Sequence, residues 1–149
     1  MKKQRLLFCV LIAANLALIW GNSALPGGTS LEISDGFLAV LARYCPILAK
    51  IGSHLIRKLG HFSEFACLGF LLAWFFRLMG ERGLHSLVMP AFFGLLAACM
   101  DETIQRFIPG RGSNLIDVWI DFSGVCTGIV LLSLGYCCIR RRKKEKKNM

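Results

Sequence analysis

The sequence contains few charged residues for its length. They make up 18% of its 149 residues, whereas a soluble domain usually carries about 25%. Hydrophobic residues make up 55% of the chain, and the mean hydropathy is +0.57. This composition excludes a disordered chain and argues against an ordinary soluble enzyme. The length is that of one domain.

The sequence also lacks the motifs of well-known soluble catalysts. It contains no GxSxG nucleophile motif, no Walker phosphate loop, no GxGxxG turn and no HExxH pair. Its seven cysteines include no CxxC pair and no zinc-ribbon spacing. We therefore interpret the cysteines as small apolar packing residues, reduced or buried in lipid. The sequence predicts no cofactor.

Four apolar runs are long enough to cross a bilayer, which takes about 20 residues. They cover residues 6–24, 59–76, 84–104 and 115–139. Because hydrocarbon offers the backbone no other hydrogen-bond partner, all four should be helices. The predicted fold class is an all-α membrane protein, with residues 1–139 forming one domain of four transmembrane helices. A cleaved signal peptide is the alternative for the first run, although its end matches the cleavage pattern poorly.

Basic residues are divided unequally between the two sides that four spans create. The side that holds both termini carries twelve Lys and Arg residues, and the other side carries six. The positive-inside rule predicts a multi-pass cell-membrane protein with both termini in the cytoplasm. Residues 140–149 form a basic cytoplasmic tail that anchors this orientation. The net charge of +9 therefore fits an anionic membrane surface, and we expect no nucleic-acid partner.

The segment 25–57 is then an external loop. It begins with Pro-Gly-Gly-Thr-Ser at 26–30, which we expect to be a flexible turn. Apolar residues then recur at alternating steps of four and three, which predicts an amphipathic helix on the outer interface, bent at Pro46. We expect this helix to pack across the mouth of the bundle, and a separate ligand groove is the alternative. The apolar stripe consists of Phe37, Leu41, Tyr44, Leu48, Ile51 and Leu55.

Acidic residues are concentrated in the spans, where a central charge costs roughly 2.5–3.5 kcal/mol on insertion scales. Five of the nine acids lie in or at the edge of spans. They belong to the start of the second span, the end of the third and the start of the fourth. Since consecutive spans alternate in direction, all three groups meet near the outer surface. The candidate binding residues are Lys58, His61, Glu64, Asp101, Glu102, Gln105, Arg111, Asp117 and Asp121.

Helical spacing places each group on one face of its span. Gly124 and Gly128 continue the face of the fourth span and let another helix approach, which points that face into the bundle. We expect the acids and His61 to line one outward-opening cavity between the second, third and fourth spans. We also expect Arg111 within ion-pair reach of at least one acid. The alternative is a closed network in which basic residues neutralise the acids and fix the helix register.

His61 has two chemical interpretations because it faces several acids. It is a candidate proton carrier or a candidate metal ligand. Asp, Glu and His together could hold zinc or a harder cation. No recognised metal motif is present, however, and the sequence-based expectation is no metal.

Three segments resemble blocks of the VanZ-like family. Residues 57–65 resemble RK-x-x-HF-x-E followed by Tyr or Phe, and residues 101–111 resemble DE-x-x-Q-x-F-x-x-x-R. Residues 117–124 resemble D-x-x-x followed by Asn or Asp and then x-x-G, and Asp121 stands where Asn is frequent. The blocks occur in the family's order on the second, third and fourth spans. The resemblance implies a small polytopic membrane protein from a family named for reduced susceptibility to teicoplanin, without an established reaction.

Two functions from different classes follow from these features. The first is a non-enzymatic envelope protein whose outer polar site binds a lipid headgroup or a cell-envelope precursor, with a link to glycopeptide susceptibility. Lys58, Arg106 and Arg111 would hold the phosphate or carboxylate. The second is an intramembrane enzyme that acts on a lipid-linked substrate, with His61 or a carboxylate as general base. Proton-coupled transport is a third function. Four short spans offer little room for alternating access, however, unless the chain forms a homo-oligomer.

Overall fold

The computed structural model describes residues 2–44 and 52–147. These residues form five helices: α1 (Lys2–Ser23), α2 (Gly27–Tyr44), α3 (Ser53–Met79), α4 (His85–Arg106) and α5 (Leu115–Lys147). No strand occurs among them. Four helices are long and apolar enough to cross a membrane, namely α1, α3, α4 and the part Leu115–Ile139 of α5. The predicted all-α membrane fold with four spans is confirmed.

The helices extend beyond the apolar runs that predicted them. α3 begins at Ser53, before the predicted start of the second span at Leu59. Its first turn is closed by a hydrogen bond from Leu55 N to Gly52 O at 2.9 Å. α5 continues to Lys147, so the basic tail prolongs the last helix. Hydropathy underestimates these ends because polar residues continue a helix without contributing to an apolar run.

The first loop contains the predicted helix, but this helix starts earlier than expected. Residues 26–30 are not a flexible turn, because α2 begins at Gly27. Ser30 N donates to Pro26 O at 3.0 Å and so closes the first turn. Proline is tolerated at this position because the first N–H groups of a helix have no intrahelical partner. The predicted bend at Pro46 lies outside the described residues.

α2 packs against α3, and small side chains make the contact. Ser30 and Ser34 are each only 8% exposed, whereas Phe37 is 57% and Tyr44 87% exposed. Phe37 also lines the space between α2 and α3, but most of its surface and nearly all of that of Tyr44 are left for the membrane interface to cover. Leu48, Ile51 and the side chain of Leu41 lie outside the described part of the chain, and Leu55 belongs to α3 instead of the predicted loop helix. The serines face inward because small side chains allow the two helix backbones to approach closely.

The tightest packing joins α3 to α5. A Cβ atom on Gly124 would lie 3.2 Å from Ala66 N, and one on Gly128 would lie 2.6 Å from Phe70 N. The small-residue face of the fourth span therefore points into the bundle, as its spacing predicts. Around this contact, four helices contribute a buried apolar core that includes Ile19, Phe65, Leu68, Ala73, Ala98 and Val125.

The outward surface of the four spans is apolar. All six cysteines within the described residues are free, and five of them lie exposed on this surface. Of the two predicted roles, contact with lipid therefore fits these five cysteines better than packing between helices. Large hydrophobic side chains are exposed beside them, among them Leu7, Trp74, Phe92 and Leu131. Such a surface suits hydrocarbon as its solvent.

Candidate functional site

The polar residues of the spans meet at one end of the bundle, where α3 starts, α4 ends and α5 starts. Lys58 Nζ donates to Asp117 Oδ1 at 2.6 Å, and this ion pair joins α3 to α5. Asn114 sets the start of α5, because its Oδ1 accepts a hydrogen bond from Ile116 N at 3.1 Å. Asp117 then falls in the first turn, where the helix dipole favours a carboxylate.

Asp101 is the most deeply buried member of this cluster, with no exposed surface. Gln105, one turn later on α4, donates from Nε2 to Asp101 Oδ2 at 2.7 Å. His61 Nδ1 lies 3.8 Å from the same oxygen. Gln105 Nε2 also lies 3.4 Å from Ser23 Oγ at the end of α1. The structure therefore brings three spans together around one carboxylate.

The two glutamates bond to groups away from Asp101. Glu102 Oε2 accepts a hydrogen bond from the backbone N of Asn114 at 3.1 Å, which ties the end of α4 to the start of α5. Glu64 Oε1 accepts one from Asn22 Nδ2 at 2.9 Å. The second oxygen of each glutamate is buried without a hydrogen-bond partner among the described residues. Such atoms are uncommon in native proteins and need a physical explanation.

Arg111 does not form the ion pair expected of it. Its guanidinium donates to Asn22 O at 2.6 Å, Leu25 O at 3.1 Å and Gln105 Oε1 at 3.4 Å. Neither ion pair among the described residues includes it. Carbonyl groups at the end of α1 and just beyond it have no partner within the helix, and they attract the cation instead. Burial lowers the pKa of Arg111, and the positive charge of Arg57 lowers it further, yet the group remains protonated.

Three side chains from three different helices lie close enough to share one metal ion. One potential ligand atom from each of His61, Asp101 and Asp121 lies within 4.8 Å of the others. Asp121 is 3% exposed, so two of the three are almost completely buried. All three residues were predicted from the sequence as members of a larger polar cluster, but not as a separate group of three.

Two cavities lie beside the cluster in the described part of the chain, instead of the single predicted one. The larger has a volume of about 380 Å³ and lies between α2 and α3. The smaller has about 20 Å³, enough for about one water molecule. His61 lines both, but Glu64 and Asp101 line neither, so the expectation of one shared cavity is wrong. Close packing of α5 on its neighbours leaves little space in the smaller cavity, and the larger of the two lies beside α2.

Two residues of this region were not predicted from the sequence. Arg57 lines both cavities but was not a candidate residue. A signal was available, since Arg57, His61 and Glu64 are spaced by four and three and share a helix face. Asn22 bonds to Glu64 and to Arg111. Asn22 could not be predicted, because the sequence near the end of α1 contains no ionisable residue that would assign this helix to the cluster.

Comparison with known families supports the resemblance of the three motif blocks. The profile of the family described as VanZ/LLP1 matches residues 6–136. This range extends from the first span into the fourth and includes every candidate site residue. No curated protein and no solved structure matches the chain. With a family match over most of its length and four helices able to cross a membrane, the chain belongs to the VanZ/LLP1 family.

Proposed function

We propose that this protein is a multi-pass cell-membrane protein that binds the anionic headgroup of a membrane lipid or of a lipid-linked cell-envelope precursor. The observation that carries the proposal is the groove of about 380 Å³ between α2 and α3. Small-ligand sites have volumes of about 300–1,000 Å³. The groove wall is mostly apolar, and its polar lining includes Asn22, Arg57 and His61. A phospholipid also has an apolar and a polar part. Its acyl chains would contact the apolar wall, and its phosphate would bind the arginine.

Arg57 is the side chain that we assign to the phosphate. It is partly buried, and it forms neither of the ion pairs among the described residues. Lys58 is engaged by Asp117, and Arg111 by backbone carbonyl groups. Arg57 therefore replaces Lys58, Arg106 and Arg111, to which the sequence had assigned this role. An arginine can pair two phosphate oxygens with two N–H donors, which suits a headgroup.

The proposal predicts that Arg57→Gln retains less anionic lipid than the wild-type chain. Removing one charge-assisted pair should weaken lipid binding by about tenfold or more. Full-length protein in detergent would be titrated with phosphatidylglycerol in one arm and with a polyprenyl diphosphate in another. Native mass spectrometry would count the bound lipid. The arm with tighter binding distinguishes a bulk lipid from an envelope precursor.

Arg106→Gln is the matched control for this experiment. Arg106 is an exposed arginine at the same end of the bundle, but it does not line the groove. The Arg106→Gln variant should therefore bind both lipids with the affinity of the wild-type chain. Equal losses of lipid from the two variants would contradict the assignment of Arg57, because net charge alone would then account for binding.

A second candidate function is an intramembrane enzyme, and the placement of His61 favours it. His61 lines the groove, and its Nδ1 lies 3.8 Å from the buried Asp101 carboxylate. A carboxylate behind an imidazole can orient the ring as a general base. In the lipid titration above, a chemically converted headgroup would support this candidate. Recovery of unchanged lipid supports the binding protein.

We place the polar cluster on the outer side of the membrane, with both termini in the cytoplasm. The unequal distribution of Lys and Arg supports this orientation. A link to teicoplanin susceptibility rests on the family resemblance. Binding of a headgroup or precursor at the outer leaflet would alter what reaches the cell surface, which is where glycopeptides act.

The orientation predicts which cysteine substitutions react with a membrane-impermeant thiol reagent. Thr29→Cys on α2 should be labelled in intact cells, and Arg82→Cys should be labelled only after permeabilisation. Both positions are exposed, unlike the neighbouring Ser30, which is buried. Both variants would also carry Cys45→Ser, because Cys45 lies in the same external loop. The Cys45→Ser chain provides the background, since the exposed cysteines among the described residues lie on the spanning helices. The reverse labelling pattern would overturn the orientation.

A further inference from the structure

We propose that His61, Asp101 and Asp121 form a binding site for one divalent transition-metal ion. A potential ligand atom from each lies within 4.8 Å of the others. Ligand atoms about 2.0–2.2 Å from a common zinc ion in tetrahedral geometry lie about 3.3–3.6 Å apart. Binding a metal would therefore draw the three ligand atoms together by up to about 1.4 Å, a distance that side-chain rotation can supply. This inference does not depend on lipid binding.

Burial provides the second, independent observation. Asp101 is completely buried, and its Oδ1 has no hydrogen-bond partner among the described residues. Asp121 is 3% exposed and belongs to neither ion pair of the described residues. His61 Nδ1 is also buried without a hydrogen-bond partner. Two adjacent buried carboxylates without a counter-charge are costly, so this arrangement calls for a cation or a shared proton.

The neighbouring cations do not pair with these carboxylates. Arg57 lines the smaller cavity but forms neither ion pair of the described residues. Lys58 pairs with Asp117, which lies outside the triad. Arg111 donates to two backbone carbonyls and to Gln105. A divalent ion would neutralise both carboxylates of the triad and use the imidazole as its third ligand. A shared proton would neutralise only one of the two carboxylates.

The donor set indicates the class of metal. One imidazole nitrogen and two carboxylates suit zinc or manganese, whereas calcium and magnesium prefer oxygen ligands alone. Three protein ligands leave at least one coordination position open. His61 and Asp121 also line the cavity of about 20 Å³, which has room for about one water molecule as a further ligand.

Gln105 supports this geometry from behind. It donates from Nε2 to Asp101 Oδ2 at 2.7 Å, so Oδ1 is left available for a metal. Hydrogen bonds of this kind orient metal-binding carboxylates. Each triad member lies on a different span, namely α3, α4 and α5. This is why no short sequence motif reveals the site, and why a bound metal would hold three helices together.

The test uses full-length protein purified in detergent, stripped with a chelator and titrated with Zn²⁺ and with Mn²⁺. We expect one metal ion per chain by elemental mass spectrometry. Asp121→Asn should lower the affinity by at least about tenfold, since even supporting residues around a metal change affinity that much. Asp117→Asn should retain the metal. It removes an acid from the same end of the bundle, but one that pairs with Lys58.

A spectroscopic test guards against a variant that merely fails to fold. His61→Cys, loaded with Co²⁺, should show a thiolate-to-cobalt charge-transfer band that the Co²⁺-loaded wild-type chain lacks. Absence of this band in a folded variant would overturn the proposal. The same band in the wild-type chain would assign the metal to native cysteines and would also overturn it. So would absence of saturable binding, or equal losses of affinity in Asp117→Asn and Asp121→Asn.

Discussion

Replacement of Gly128 by leucine is expected to prevent the four-helix bundle from assembling. A Cβ atom at this position would collide with the carbonyl oxygen of Ala66 and lie 2.6 Å from Phe70 N. These are backbone atoms of α3, which cannot rotate away as a side chain can. The helices must separate, and the surrounding contacts are lost. We expect a loss of more than about 3 kcal/mol of stability, at or beyond the upper end for overpacked cores.

Gly135→Leu is the matched control, since Gly135 lies on the same helix and has nothing near its would-be Cβ. This variant should keep the wild-type yield of monodisperse protein and the wild-type midpoint of thermal unfolding. Both quantities would be measured in detergent by size-exclusion chromatography and by a melting curve. If Gly128→Leu behaved like Gly135→Leu, the close contact between α3 and α5 would not be what holds the bundle together.

Arg111→Ala is expected to lower the free energy of unfolding by about 2–3 kcal/mol, as lost hydrogen bonds to a charged group usually do. Arg111 donates to the carbonyl groups of Asn22 and Leu25 and to the Gln105 side chain. It therefore joins the end of α1 to the end of α4. Arg111→Lys should restore only part of the stability, because an ammonium lacks the planar fork that reaches several acceptors.

Arg106→Ala provides the comparison for this prediction, since Arg106 is an exposed arginine at the end of α4. Its thermal unfolding midpoint should match that of the wild-type chain. A lysine at position 111 that restored full stability would show that only the charge matters there. In that case, the network of hydrogen bonds from Arg111 would not explain its contribution.

Much of the fold could be predicted from the sequence because it depends on local properties. Hydropathy over about 20 residues identifies a span, since each helix must satisfy its own backbone in hydrocarbon. The alternation of direction between spans then brings three polar groups to one end of the bundle. The spacing of Gly124 and Gly128 also indicated the inward face of α5, which the close approach of Phe62 and Ala66 in the structure confirms.

The predictions that were wrong concern contacts that depend on a neighbouring helix, such as the hydrogen-bond acceptors at its end or the face that it covers. Arg111 was expected beside an acid because charge favours that pairing. It bonds instead to carbonyl groups at and just beyond the end of α1. No pattern in the sequence connects Arg111 with these acceptors. α2 buries serines instead of its large apolar residues, because in a membrane the lipid covers an apolar face as well as the protein does.

The sequence by itself determined the family, the four spans and the end of the bundle at which the polar residues meet. Only the tertiary structure decided which of these residues touch. The rotation of each helix about its axis selects Lys58 as the partner of Asp117 and groups His61, Asp101 and Asp121 from three spans. That rotation is a collective result of packing across the whole bundle. No local run of residues contains it, and so both the groove and the triad became visible only in the folded chain.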